Sequence, residues 1–543
     1  MAAPARPAKL LLATLLASLA SALVVYPAPG GGTLASPFYT VAVGPQRLPA
    51  FVWFSNRAGM QAVATSAGNS VPAPSQRNMS FVSFSMDPNF DTPLSVAITC
   101  LGVVVNVEQI YPSRVASSVT LATAGNVVTV SIDQPRQVCL VINSRLDSPL
   151  CIFADPLEVN PPTGSSASVI YFGPGTVSAG VINVAAGQTV YLAGGAHVYG
   201  RIQLTGTTPA TAAAAAAACT AAGVGVTVAG RGVLDGHNFP VDVNGPALVG
   251  LPCAKALVDG VTLINSPHTN LDLNAPYTTA RWVKAVAWGY GTVGWVGGAQ
   301  AYLHNPFFRV NDDAVQLYGT GSLAQSVVLW QGENGCAVMG SRGTAAASGF
   351  ATARTVDVIR HEQTVSGPFA AVCFLHGGAG LVSNYLFNDI QVNVPGWAAV
   401  QIVVAPNSAT PPTGVPGSVG NVNFVGFSSS VKFGAPQAIN LQGYGARSVV
   451  ANVSFVNVNL ASAPLSTADI SEGAFVVNVP APVQGQGAVN DWTQAQKCSL
   501  ATSFCAGATP AAKPASAAAG RLEARDALVA LLAAAAAALA LAG

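Results

Sequence analysis

From Val169 to Val458 the sequence repeats one kind of unit, a short apolar run closed by Gly or Asn, roughly every 20 to 35 residues. Val226-Thr227-Val228, the run holding Val258, Val261 and Leu263, Val327-Val328-Leu329 and the run holding Val453, Phe455 and Val458 are examples. A unit this short cannot bury its apolar face alone, but a stack of such units can. Helical periodicity is absent, and the runs alternate as strands do. The period therefore predicts a solenoid of strands, a right-handed parallel β-helix over residues 165–480. Stacking sets equivalent turn residues in a column, and a column of turns borders a long open groove.

Residues 23–160 read differently. Val41-Ala42-Val43, Phe81-Val82-Ser83-Phe84 and Val127-Val128-Thr129-Val130 are short alternating strands between turn residues, the pattern of a β-sandwich. Asn160-Pro161-Pro162 and Gly164-Ser165-Ser166 form the linker to the solenoid. The Ala-rich stretch from Thr205 to Gly223 reads as a surface loop between two strands. The fold class is all-β.

Both ends carry processing signals. Arg6 and Lys9 precede the apolar run Leu10 to Leu19, and Ala20-Ser21-Ala22 fits a cleavage site, so residues 1–22 read as a secretory signal peptide. At the other end, small residues, a polar spacer at 521–526 and an apolar tail at 527–542 have the order of a glycosylphosphatidylinositol (GPI) attachment signal. Ser516 is the expected attachment residue, with 481–516 a cap and Ala/Pro-rich stalk and 517–543 a propeptide. The expected location is the cell surface, with the membrane reached through the anchor.

Secretion permits disulfides. Of nine cysteines, Cys139 with Cys151, Cys219 with Cys253, and Cys498 with Cys505 are near in sequence, and the odd count leaves one over. There is no Cys-x-x-Cys pair, so no metal site and no cofactor are expected. Asn78 and Asn452 open N-glycosylation sequons. A net charge of +1 gives no reason to expect a nucleic-acid partner.

Chemistry is expected at Arg309-Val310-Asn311-Asp312-Asp313-Ala314-Val315. Charged residues make up only 8% of the chain, so two adjacent carboxylates in an apolar run stand out. Neighbours on a strand point to opposite faces, so the two share a groove only where the strand bends or ends. Close carboxylates repel, and one then keeps its proton near neutrality, as a general acid must.

The stretch from Trp282 to Gly343 resembles glycoside hydrolase family 49, the dextranases and isopullulanases, through W-V-K-A-V-A-W-G-Y-G, F-F-R-V-N-D-D-A-V-Q-L-Y and V-V-L-W-Q-G-E-N-G-C-A-V-M-G. Upstream, V-Y-L-A-G-G-A-H-V-Y-G and G-R-G-V-L-D-G fit its early coils, and the likeness extends over residues 35–480. A more distant likeness is to the polygalacturonases. The resemblance implies a pectin-lyase-like β-helix that cleaves O-glycosidic bonds of a polysaccharide, an α-glucan, with inversion. It implies Asp312 as general acid and Asp313 as part of the base. The family has a third Asp nineteen positions before the first of the pair; that position here is Val293. Glu333, 21 residues after Asp312, is the candidate auxiliary carboxylate. The stretch matching a polygalacturonase G-H-G motif is Gly335-Cys336-Ala337, and no R-I-K follows it.

Aromatic rings bind the apolar faces of pyranoses, so Trp295 and Tyr318 are expected as substrate contacts, with Asn334 and His361 as polar ones. Two readings compete. One is an active hydrolase. The other is a catalytically degenerate carbohydrate-binding or structural β-helix, motivated by Val293. A polysaccharide lyase fits less well, because the stretch offers neither a basic catalytic group nor clustered carboxylates for calcium.

Overall fold

The computed structural model describes residues 23–485 except 31–34, 57–77, 89–91, 107, 117, 207–210, 243, 344–348, 364–365 and 407–414. The proposed signal peptide, Cys498, Cys505, Ser516, most of the stalk and the apolar tail lie outside the described residues. Among the described residues no helix is long and apolar enough to cross a membrane.

The N-terminal part is a two-sheet sandwich. A five-stranded antiparallel sheet has the order Leu48–Ala50, Tyr39–Val43, Leu94–Cys100, Val127–Ile132, Thr120–Ala124. Its partner sheet of six strands includes Asn78–Met86, Leu150–Pro156 and Arg136–Ile142. Alternate residues of both sheets, among them Val41, Val96, Ile98, Val130, Phe84 and Ile152, fill the space between.

The six-stranded sheet is apolar on its second face as well. Trp53, Phe81, Cys139, Cys151 and Phe153 pack there against Val286, Trp288, Phe307 and Trp330 of the solenoid. That explains the near-continuous burial of Arg136–Ile142 and Leu150–Pro156. Lys284 adds a polar pin: its Nζ donates to Asp155 Oδ2 at 2.7 Å and to the Gly260 carbonyl at 2.7 Å, fully buried. The sandwich therefore braces the coils that carry the acidic pair.

From Val169 the described residues wind into 29 strands of one continuous sheet, paired in parallel except for the hairpin of Asn459–Leu460 with Ala463–Pro464. Register is unbroken through the middle coils: Val258 lies against Ala280, Ala280 against Leu303, and Leu303 against Ala324. Inward positions form the core, with Leu271, Trp295, Val315, Val338, Val372 and Val400 succeeding one another along one sheet. Asn384, Asn421, Asn452 and Asn478 recur at corners with φ between 52° and 65°. Each amide donates to the preceding Asn, at 3.1, 2.9 and 2.5 Å. Asn tolerates this left-handed conformation, and the ladder satisfies polar groups at the bend. The observed architecture is a β-sandwich followed by a right-handed parallel β-helix.

The Ala-rich insert is a correction. Ala212–Ala221 is an α-helix, not a loop. Seven consecutive alanines carry the highest helix propensity, and nothing in the stack opposes it. The helix is tied down by a Cys219–Cys253 disulfide. Cys139–Cys151 also forms. A third disulfide, Cys336–Cys373, joins residues 37 apart and was not expected; Cys100 is free and buried.

Candidate active site

The strand Phe307–Val310 ends just before the pair, and the next strand, Val315–Gln316, begins just after it. Asp312 and Asp313 occupy the corner between two sheets, where strict alternation no longer separates them. Asn311 builds that corner. Its N–H donates to Thr292 Oγ1 at 3.0 Å and its amide to the Trp288 carbonyl at 3.1 Å, while its Oδ1 accepts the Asn334 N–H at 2.9 Å. Gln331 clamps the next coil by donating to the carbonyls of Asp312 and Asn334, at 2.9 and 2.6 Å. Gly335 fits because a Cβ there would lie 2.3 Å from the Asp312 carbonyl carbon.

The two carboxylates converge on one cation. Arg342 Nη1 lies 3.2 Å from Asp312 Oδ1 and 3.5 Å from Asp313 Oδ2. The two acids differ in exposure: the Asp312 side chain is 13% exposed and that of Asp313 is 0%. Asp313 is also fully engaged. Its Oδ1 accepts the Cys336 N–H at 3.0 Å and its Oδ2 accepts the Gln316 amide at 2.9 Å. Asp312 Oδ1 accepts the Asp313 N–H at 2.8 Å.

Burial, and then the charge on Asp312, push Asp313 up to about 6. Burial also raises Asp312, against the opposing pull of Arg342. The two titrate as a unit that keeps a shared proton further toward neutrality than a free Asp would. Asp312 alone of the two reaches solvent, so it is the member that can hand a proton to a bound molecule.

Two tyrosines flank the pair. Burial raises the Tyr290 phenol and the nearby Asp312 charge raises it further; Tyr318 is raised by burial and then by Asp313. Both rings are half-buried. Asn334 is 6% exposed and helps hold the Asp312 carboxylate.

Two expected substrate contacts are corrected. Trp295 is wholly buried and points into the coil interior, where it lies in register with Val315. Gly297 leaves room for its ring, since a Cβ there would meet the indole at 2.2 Å. His361 is 1% exposed and lies in register with Gln331, behind the pair; burial holds its imidazole down at about 4. Neither side chain presents a face to a sugar.

Glu333 is half-buried on the turn that backs the pair, but the residue stacked on Asp312 is Gly335. Val293 sits in the preceding coil between Thr292, which bridges Asn311, and Gly294, whose N–H donates to the Asp313 carbonyl at 3.0 Å. Asn78 opens the strand Asn78–Met86 half-buried, and Asn452 is exposed within the corner ladder. Among the described residues no cluster of His, Cys, Asp and Glu fits a metal ion.

Tyr290 is visible in the sequence as one of the aromatics around the motif, but it ranks there below Trp295 and Tyr318. Nothing in the sequence points to Arg342 or to the rings Phe369 and Trp397. These last two pack against an apolar cluster of Cys336, Met339, Ala370, Cys373, Ala398 and Ala435 on the same outer face. The acidic pair lies outside the cavity of about 470 Å³ lined by Pro112, Gln137, Trp282 and His304 between sandwich and solenoid.

No known family profile matches the chain. The dextranase of Arthrobacter globiformis is 25% identical over 213 residues, 34% of this chain and 31% of that protein. The dextranase of Arthrobacter sp. strain CB-8 is 24% identical over the same shares. The chain thus spans about a third of the length of the curated relatives it matches. The solved structure of Dex49A from Penicillium minioluteum superposes with a TM-score of 0.65, covering 84% of this chain and 96% of that one at 14% identity. In sequence over its matched stretch, and in fold over most of its length, the chain is similar to the dextranases of glycoside hydrolase family 49.

Proposed function

We propose that the protein is a glycoside hydrolase acting on an α-glucan of the dextran or pullulan type, with inversion at the anomeric carbon. The observation that carries this reading is the buried Asp313 beside the solvent-reaching Asp312, both held by Arg342. Asp312 gives its proton to the glycosidic oxygen as the bond from that oxygen to the anomeric carbon breaks. A water attacks the opposite face and passes its proton to a carboxylate. A covalent intermediate on Asp313 is disfavoured, because both of its oxygens are hydrogen-bonded and none of the side chain is exposed. Asp313 instead sets the charge of the site. Glu333, on the turn behind the pair, is the carboxylate proposed to assist the water.

Reducing-end release from dextran, pullulan and other glucans tests the reading, and proton NMR of the first product reports the anomer. No release from any of them would leave the second reading, a glucan-binding protein with lost catalysis. That alternative has its own support in Val293, an apolar residue in the coil before the pair, at the position where the family it resembles carries its third Asp.

We also propose secretion and a GPI anchor. Three disulfides formed among the described cysteines suit an oxidising compartment. Release from cells by phosphatidylinositol-specific phospholipase C is expected. Detection of the 527–542 segment in the mature protein would rule it out.

A further inference from the structure

We propose that Phe369 and Trp397 form a sugar-binding platform beyond the acidic pair, seating neutral glucosyl rings of the same chain that Asp312 cleaves. The proposal rests on the hydrolase reading above. It starts from an oddity in the packing. The interior of a β-helix holds its core, yet a second apolar cluster lies on the outside of the sheet that follows the pair. Its floor is Cys336, Met339, Ala370, Cys373, Ala398 and Ala435, all buried, with the Cys336–Cys373 disulfide across it. Phe369 and Trp397 pack on that floor but remain half-buried, so neither residue is closed off from solvent.

Register places these rings relative to the chemistry. The Cys336 N–H binds Asp313, and the Ala314 N–H donates to the Cys336 carbonyl, so the coil of Cys336 follows that of the pair. Val338 lies against Val372 and Val372 against Val400, so the turns of Phe369 and Trp397 belong to the next two coils. At about 4.8 Å per coil, Phe369 is roughly 10 Å and Trp397 roughly 14 Å along the axis from the pair. Arg342 connects the two regions directly: the guanidinium that binds Asp312 at 3.2 Å also lies 6.0 Å from the centre of the Phe369 ring.

The chemistry of the patch selects its occupant. A pyranose presents C–H groups on its face and hydroxyls around its rim, and a flat ring beside amides matches both. The outward positions farther along the sheet are Gln401 and Asn440, polar and uncharged. Gln401 is buried and donates to the Gly367 carbonyl at 2.8 Å, the Asn440 amide points to it at 3.5 Å, and half-buried Asn440 is the amide left at the surface. Arg342 is already paired with two carboxylates. The platform therefore suits a neutral polymer, and it lies to one side of the pair, so one end of the bound glucan is gripped more tightly than the other.

The test measures binding of isomalto-oligosaccharides of increasing length by calorimetry, in the Asp312→Asn background so that nothing is cleaved. The expected result is affinity that rises with length, and a rise flattened by roughly tenfold in Trp397→Ala and in Phe369→Ala. Trp397→Phe, which keeps a ring, should restore most of it, which separates stacking from damage to the fold. If the wild-type protein cleaves glucans while Trp397→Ala and Phe369→Ala bind long chains as tightly as their parent, the platform is wrong and the hydrolase reading stands. If no glucan is bound or cleaved, both fall. A dimer in sedimentation that Trp397→Ala dissolves would assign the patch to a second copy and overturn the proposal.

Discussion

Cys336 holds Asp313 through its backbone and Cys373 through its sulfur. The N–H reaches Asp313 Oδ1 at 3.0 Å, and the disulfide closes a loop between residues 37 apart. Replacing the two cysteines keeps the backbone N–H, but without the bridge it is free to shift, and a buried carboxylate whose donor moves away rises further in pKa and becomes less well placed. The double variant Cys336→Ser/Cys373→Ser is expected to lose about 2–4 kcal/mol of stability. It should also shift the pH profile of glucan hydrolysis upward. Denaturant melts and a pH series check the two effects separately; lost stability with an unmoved profile would make the bridge purely structural.

Asp312→Asn keeps the shape of the side chain and removes the proton donor. Glucan turnover should fall by on the order of 10² to 10⁴-fold while binding survives. Asn at 312 still accepts the Asp313 N–H, so the corner should keep its form. Unchanged turnover in the purified variant would take Asp312 out of the mechanism.

How much of this was legible in the sequence depends on alternation. The solenoid was, because inward positions are apolar coil after coil. The acidic pair was, because charge is scarce around it. Arg342 was not, and the reason is local. The ladder between Val338–Gly343 and Val372–His376 shifts register between Met339 and Ser341, at Gly340, where a Cβ would strike the Phe374 ring at 2.2 Å. Plain alternation from inward Val338 sends Arg342 into the core. The bulge instead buries Ser341 and turns Arg342 out to the pair. Trp295 failed in the opposite sense: it shares register with inward Val315, and a two-residue offset to Gly297 was the available sign that its ring needed interior space.

Stability against pH should carry the mark of Asp313. Its pKa rises from 3.8 to about 6 on folding, so between those values the folded protein binds more protons and loses stability as pH rises. Asp357, also raised to about 6 by burial, acts in the same direction. His361 acts oppositely: burial lowers it from 6.5 to about 4, so its contribution grows as pH rises through that window. The fall in melting temperature from pH of about 4 to about 6 should therefore be shallower in Asp313→Asn than in wild type and steeper in His361→Asn. Parallel curves for all three proteins would mean that neither group is perturbed.

Val293→Asp asks whether the apolar residue in the coil before the pair limits catalysis. Val293 is 7% exposed, and its carbonyl is already used by the Asn270 N–H and amide, both at 2.8 Å, so the backbone there is fixed. A new carboxylate would enter beside two others that share a single guanidinium. Like charges at that spacing raise one another's pKa, so the acid limb of the site should move upward in pH. The substitution also buries a polar group without an evident partner, at a cost of about 1–3 kcal/mol. If the hydrolase lacks only a base, turnover at neutral pH should rise despite that loss, and the variant should melt earlier. The measurement is kcat on dextran across pH together with a thermal melt. A lower melting point with no gain in kcat at any pH would mean that Asp312, Asp313 and Glu333 already supply what the reaction needs, or that the chain binds glucan without cutting it; the Asp312→Asn result then decides between those two.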